Sequence, residues 1–151
     1  MAHDQLKLEN QLCFPFYAVS RLITRTYQDD LDRLGITYPQ YLVMLVLWEN
    51  DGLSVNEVAD KLILNTNTIT PLLKRMETME LLTRIPSLTD QRKVIVSLTG
   101  KGKEMRVQAD DIPLRLIQKM KIDPTGTKFE ELIRLKDHLN ELISLLKNID
   151  K

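Results

Sequence analysis

Apolar residues recur three or four positions apart through Leu6, Leu8, Leu12, Phe16, Val19, Leu22, Ile23 and Tyr27, the period of a helix with one buried face. The helix is expected to continue through Asp29-Asp30-Leu31-Asp32-Arg33 and to close at Gly35. Pro15 lies near its start, where a missing N–H costs least. A second helix fits Pro39 to about Glu49, ended by Asn50-Asp51-Gly52; it is apolar almost all round and so belongs at the centre of the domain. Ser54-Val55-Asn56-Glu57 places Ser at an N-cap with Glu three residues on, a capping box. The short helix behind it carries Val55, Val58, Ala59 and Leu62 on one side. A second polar opening, Asn65-Thr66-Asn67-Thr68, starts a helix to about Glu80. Ile69, Leu72, Leu73, Met76 and Met79 form its apolar face, and Thr66, Thr70, Lys74 and Glu77 the opposite one.

The period then changes. Leu82-Thr83-Arg84-Ile85-Pro86 and Lys93-Val94-Ile95-Val96-Ser97-Leu98 read as the strands of a β-hairpin whose polar tip holds Asp90, Gln91, Arg92 and Lys93. Pro86 confines the first strand to an edge. Thr99 caps a further helix to about Lys121, and Asp123-Pro124-Thr125 opens the last. That helix aligns Phe129, Leu132, Ile133, Leu139, Leu142, Ile143, Leu146 and Ile149 in one stripe. The predicted fold is mainly α with a small β-hairpin wing, a winged helix-turn-helix in a single domain, residues 1–151, without repeat or linker.

Size and composition agree with that reading: 151 residues, 43% of them hydrophobic, make one globular domain. The longest apolar run, Tyr41 to Trp48, is far short of the roughly 18 residues a membrane span needs. The N-terminus, Met1-Ala2-His3-Asp4-Gln5, is polar and lacks a signal-peptide layout, which points to the cytoplasm. Formal net charge is zero, so nucleic-acid binding requires a local basic surface. Thr66 to Lys93 supplies one, with Lys74, Arg75, Arg84, Arg92 and Lys93 against Glu77, Glu80 and Asp90. A helix-turn-helix followed by a hairpin sets its second helix in the major groove and its wing tip in the minor groove. A helical pair with solvated polar faces is the other reading of the same pattern. The N-terminal helix (about 6–33) and the C-terminal helix (about 124–149) carry more apolar surface than a small wing domain buries, which suggests a two-fold dimer; an internally packed helical core is the alternative.

A single cysteine, Cys13, cannot form an internal disulfide. At the start of a helix its thiolate is favoured by the free N–H groups, and Tyr17, one turn away, is positioned to donate to it. Tyr27 and Tyr38 are distant in sequence, and periodicity leaves Cys13 open between reactive thiol and buried filler. His3 and His138 are isolated, so neither a metal site nor a cofactor is expected.

Several segments carry a family resemblance. Lys7-Leu8-Glu9-Asn10-Gln11-Leu12-Cys13-Phe14, Ile36-Thr37-Tyr38-Pro39-Gln40-Tyr41-Leu42 and Leu47-Trp48-Glu49 resemble the organic-hydroperoxide regulator (OhrR) branch of the MarR family, one-cysteine type. So do Thr68-Ile69-Thr70-Pro71-Leu72-Leu73-Lys74-Arg75-Met76-Glu77 and Asp90-Gln91-Arg92 leading to Ser97-Leu98-Thr99. The resemblance covers nearly the whole chain, and the cysteine segment is its branch-specific part.

What it implies is a homodimer whose first and last helices form the interface, holding a palindromic DNA operator when reduced. Cys13 is then the sensing thiol, with Tyr17, Tyr27 and Tyr38 as the family's tyrosines, the latter two from the partner subunit. The oxidant is an organic hydroperoxide whose apolar tail enters near Phe14 and Phe16. The oxidised thiol then forms a mixed disulfide with a low-molecular-weight thiol, cyclises to a sulfenamide or oxidises further. Thr66, Asn67, Thr68, Thr70, Lys74 and Arg75 match the DNA-reading helix, and Asp90 orients Arg92 in the wing. Asn67 and Pro15 depart from the family pattern, where a small and an aliphatic residue are usual. Rival readings are a ligand-responsive or global redox regulator of virulence or drug-resistance genes, and a thiol peroxidase. The peroxidase reading suffers from the lack of a histidine or arginine partner for the thiol.

Overall fold

The computed structural model describes residues 3–149 in two compact units, Met1–Asp111 and Ile112–Lys151. Met1 and Ala2, which open the polar N-terminus, lie outside the described residues. In the first unit, two 3-10 turns (Asp4–Leu6 and Leu8–Asn10) precede α1 (Cys13–Thr26), α2 (Gln28–Leu34) and α3 (Tyr38–Glu49). The expected single N-terminal helix is therefore broken at Tyr27. The Thr24 and Thr26 hydroxyls donate back to the carbonyls of Ser20 (2.8 Å) and Leu22 (2.9 Å), a local competition that bends helices. Gly35 closes α2 at φ 68°, as the sequence predicts.

α3 is the centre of the unit, with Tyr41, Val43, Met44, Val46 and Leu47 all buried. α4 (Val55–Leu62) starts with the predicted capping box: the Glu57 N–H donates to Ser54 Oγ at 3.3 Å and the Ser54 N–H to Glu57 Oε2 at 2.8 Å. The joint to α5 (Thr66–Thr78) turns at Ile63, whose φ of 56° is unusual for a β-branched residue. Val58, Ile69, Leu73, Met76 and Val96 complete the core without exposed surface.

The hairpin is β2 (Leu82–Pro86) and β3 (Val94–Leu98), paired from Leu82↔Leu98 to Pro86↔Val94. A two-residue strand the sequence reading missed, β1 (Leu53–Ser54), adds to the other side of β3, giving the order β1-β3-β2. Pro86 thus lies on an edge strand, as expected. Thr99 caps α6 (Gly100–Ala109) by accepting from the Gly102 N–H at 3.1 Å.

The helix expected to reach Lys121 ends at Ala109 and resumes in the second unit as α7 (Ile112–Lys119). A helix continued through Pro113 would leave the carbonyl four residues back without a donor and crowd it against the proline ring. α8 (Thr127–Ile149) follows the turn at Asp123-Pro124-Thr125, and none of its residues is buried within the chain. Among the described residues no helix is long and apolar enough to cross a membrane.

Candidate nucleic-acid interface and thiol site

The reading helix is built from its cap outward. Asn65 precedes α5, and its Oδ1 accepts from both the backbone N–H and the hydroxyl of Thr68, each at 2.9 Å. Thr68, a predicted contact residue, therefore has its hydroxyl proton committed to the cap, while Thr66 and Asn67 stay exposed beside it. Lys74 and Arg75 are exposed further along, without ion-pair partners among the described residues. Ile69, Leu73 and Met76 anchor the helix from beneath. Pro71 leaves the Asn67 carbonyl without its intrahelical donor.

The wing supplies the remaining cations. The Asp90 carboxylate accepts from the Arg92 backbone N–H (3.1 Å) and from Nε (3.2 Å), which fixes the exposed arginine's orientation at the tip. Those bonds, side chain first, hold the Asp90 carboxyl below its usual range. The tip is closed by Ser87 N–H to Lys93 O (2.8 Å) and Lys93 N–H to Asp90 O (2.9 Å). Arg84 differs from expectation: its Nη2 and Nε donate to Glu77 Oε2 at 2.8 and 3.1 Å, and its backbone N–H to Oε1 at 3.0 Å. The arginine hydrogen bonds draw the Glu77 carboxyl down as well. Glu77, which sequence reasoning treated only as part of a solvated face, thus fastens the reading helix to the wing. Thr66 and Thr70, the wing residues Arg84, Arg92 and Lys93, and Asn56 of α4 line one hollow of about 200 Å³. Asn56 was also missed. Its only sequence signal is its place in the capping box.

Cys13 is the first residue of α1 and is exposed. Tyr17 lies one turn on, but its hydroxyl accepts from Arg21 Nη1 at 3.4 Å, with the guanidinium 5.6 Å from the ring centroid. Tyr27 follows the last residue of α1; fourteen residues at about 1.5 Å each put it roughly 21 Å from Cys13 along the helix. Tyr27 and Tyr38 pack with centroids 5.1 Å apart and planes tilted by 43°, and buried Tyr41, absent from the sequence-derived site, completes the cluster at 5.9 and 6.4 Å. Its signal was its spacing, one helical turn after Tyr38. Burial first, then the neighbouring phenols, pushes Tyr27 up to about 12; burial raises Tyr38 and Tyr41 too. All three remain protonated donors near neutral pH. The structure therefore brings Tyr27 and Tyr38 together and leaves Cys13 and Tyr17 at the other end of α1. Among the described residues no three His, Cys, Asp or Glu side chains are grouped to hold a metal.

Residues 25–108 match the family model described as transcriptional regulator SarA/Rot. Over 143 residues the chain is 46% identical to the organic hydroperoxide resistance transcriptional regulator of Bacillus subtilis, covering 95% of this chain and 94% of that protein. The chain belongs to the organic-hydroperoxide regulator branch of the MarR family. The structure of reduced AbfR bound to DNA superposes with a TM-score of 0.79 over the whole of both chains at 35% identity. The crystal structure of AbfR of Staphylococcus epidermidis gives 0.65 at 40% identity, over 93% of this chain and 99% of that one. The MarR-type winged helix is thereby shown, and the chain's class is that of transcriptional regulators rather than enzymes.

Proposed function

We propose that this regulator is a homodimeric repressor that holds a palindromic DNA operator while Cys13 is reduced and releases it when an organic hydroperoxide oxidises that thiol. The observation that carries the reading is the separation of about 21 Å, along one α1, between an exposed Cys13 and the protonated Tyr27–Tyr38 pair. A sensing pocket that uses both needs two chains. Exposed Leu6, Leu8, Leu12, Phe14 and Phe16 around the thiol are the surface a second copy covers, and exposed Ile133, Ile143, Leu146 and Ile149 give α8 the same property. Two symmetric reading helices would then lie about 34 Å apart. Thr66, Asn67, Thr70, Lys74 and Arg75 face the major groove and Arg92 with Lys93 the minor groove, while Arg84 reaches phosphate from its Glu77 clamp.

The thiolate attacks one peroxide oxygen: an S–O bond forms, the O–O bond breaks, and the departing alkoxide takes a proton to leave as the alcohol. Sulfur loses two electrons and becomes a sulfenic acid. The chain has one cysteine, so a low-molecular-weight thiol from solution condenses with it, expelling water and leaving a mixed disulfide. A bulky or polar group there displaces the partner's tyrosines and turns the two wings out of register.

The test is binding of reduced protein to its own upstream DNA, with and without cumene hydroperoxide and a small thiol, for wild type and Cys13→Ser. Release in wild type only supports the proposal. Release of Cys13→Ser by peroxide overturns the thiol's role, and a wild type that binds DNA but ignores peroxide points instead to a ligand-responsive regulator.

A further inference from the structure

Gln40 is one of few polar side chains in the core, 6% exposed on an otherwise apolar α3. Both ends of its amide are used. Oε1 accepts from the Thr37 N–H at 2.8 Å, which fixes the side chain to the backbone turn that carries Tyr38. Nε2 donates to Met79 Sδ at 3.4 Å, on the residue that caps the reading helix α5. The Oε1 bond completes the capping box that opens α3, whereas a thioether is a weak acceptor, so capping alone does not account for Nε2 being aimed at Met79. What the amide supplies is direction: a two-ended link from the tyrosine cluster to the end of the reading helix.

The far end of α3 is fastened to the same region. Trp48 Nε1 donates to the Gly102 carbonyl at 2.9 Å. Thr99, which caps that helix, donates its hydroxyl to Glu80 O at 2.6 Å and its N–H to Leu81 O at 3.2 Å. Lys101 Nζ reaches Met79 O at 2.8 Å. The segment Met79–Leu81, which joins reading helix to wing, is thus held to α3 directly through Gln40 and indirectly through Trp48.

We propose that Gln40 is a positioning residue that carries a displacement of Tyr38 to the end of the reading helix, coupling the thiol site to DNA release. This rests on the sensor reading above. The quantity to measure is the ratio of operator Kd after and before cumene hydroperoxide, at equal Cys13 oxidation by mass spectrometry, for wild type, Gln40→Leu and Met79→Leu. Allosteric couplings are typically about 5- to 150-fold; the wild-type ratio is expected in that range and each variant's within about twofold of unity. A wild-type ratio in either folded variant overturns the proposal, and Met79→Leu carries the test if Gln40→Leu does not fold.

Amide hydrogen exchange at Met79–Leu81 reads the link without peroxide. Tyr38→Leu is expected to speed exchange there when Gln40 is present and to have no such effect in Gln40→Leu. Equal acceleration in both backgrounds overturns the link even if the wild type senses no peroxide, and loss of acceleration in Gln40→Leu upholds it in that case.

Discussion

Gly102→Ala sets two effects against each other at the base of the wing. Gly102 is the third residue of α6, and helix propensity there favours alanine over glycine by at most about 1 kcal/mol, so propensity alone predicts a more stable protein. The site has no room for it. A Cβ on Gly102 would lie closer than 3.0 Å to the Leu81 carbonyl oxygen, 3.1 Å from its carbon and 3.2 Å from Leu98 Cδ2. The obstruction is backbone, and that same oxygen accepts the Thr99 N–H, so relief means pushing α6 away from the β2 entry. Overpacking of this kind costs about 1–3 kcal/mol, occasionally more. With backbone as the obstruction the cost sits at the upper end, about 3 kcal/mol, so the clash wins with a net loss of about 2 kcal/mol, or about 4–8 °C in Tm for a chain of this size. Gly100→Ala is the internal control: it lies in the same helix, with nothing within 4 Å of its Cβ, and should gain rather than lose stability. Urea unfolding of both variants at one fixed protein concentration decides the matter. Gly102→Ala at or above wild-type stability would refute the packing argument, because no compensating contact is available to the new methyl.

Three further outcomes are expected. Asn65→Ala removes the cap of the reading helix and should cost about 0.5–2 kcal/mol in thermal or urea unfolding; an unchanged midpoint would show that Thr68 finds another acceptor. Arg92→Ala should lower the slope of log K against log salt in operator titrations by about 0.9 for each phosphate the arginine neutralises, with Asp90→Ala giving a smaller change; an unaltered slope would place the wing arginine off the DNA. Tyr27 holds its proton more tightly folded than unfolded, so the associated stability is complete below pH 10 and lost as the pH rises through about 12. Unfolding free energies from urea titrations across that window should fall by about 1–2 kcal/mol after allowance for solvent screening; Tyr27→Phe should flatten this fall, and an equally steep fall in that variant would assign it elsewhere.

Legibility in the sequence followed the physics of each element. Period and capping made α3, α4, α5 and the hairpin readable because each carries a face or cap within a few residues. The break at Tyr27 was not, since Thr24 and Thr26 act through side-chain bonds that leave the apolar period intact. The stop before Pro113 had a local signal in the proline itself, which the apolar Ile112, Leu114, Leu116 and Ile117 beside it masked. β1 is two residues long and exists only because β3 lies beside it. At the interface, counting charges located the basic segment but not its pairing, so Arg84 looked as free as Lys74 until Glu77 was found against it. At the thiol site, residue types were legible and distances were not: Cys13 and Tyr17 read as neighbours, yet Tyr17 turns to Arg21.

The length of α1 has a consequence of its own. If the pocket is completed by a second chain, the helix is a spacer whose fourteen residues set where one subunit's thiol meets the other's phenols. Each residue added would advance the spacer by about 1.5 Å and rotate everything beyond it by about 100°, since a turn takes about 3.6 residues. Substitutions along its exposed middle leave that measure unchanged, whereas one insertion would set both halves of the pocket out of phase at once. The sensor is then sensitive to indels in a stretch tolerant of point changes.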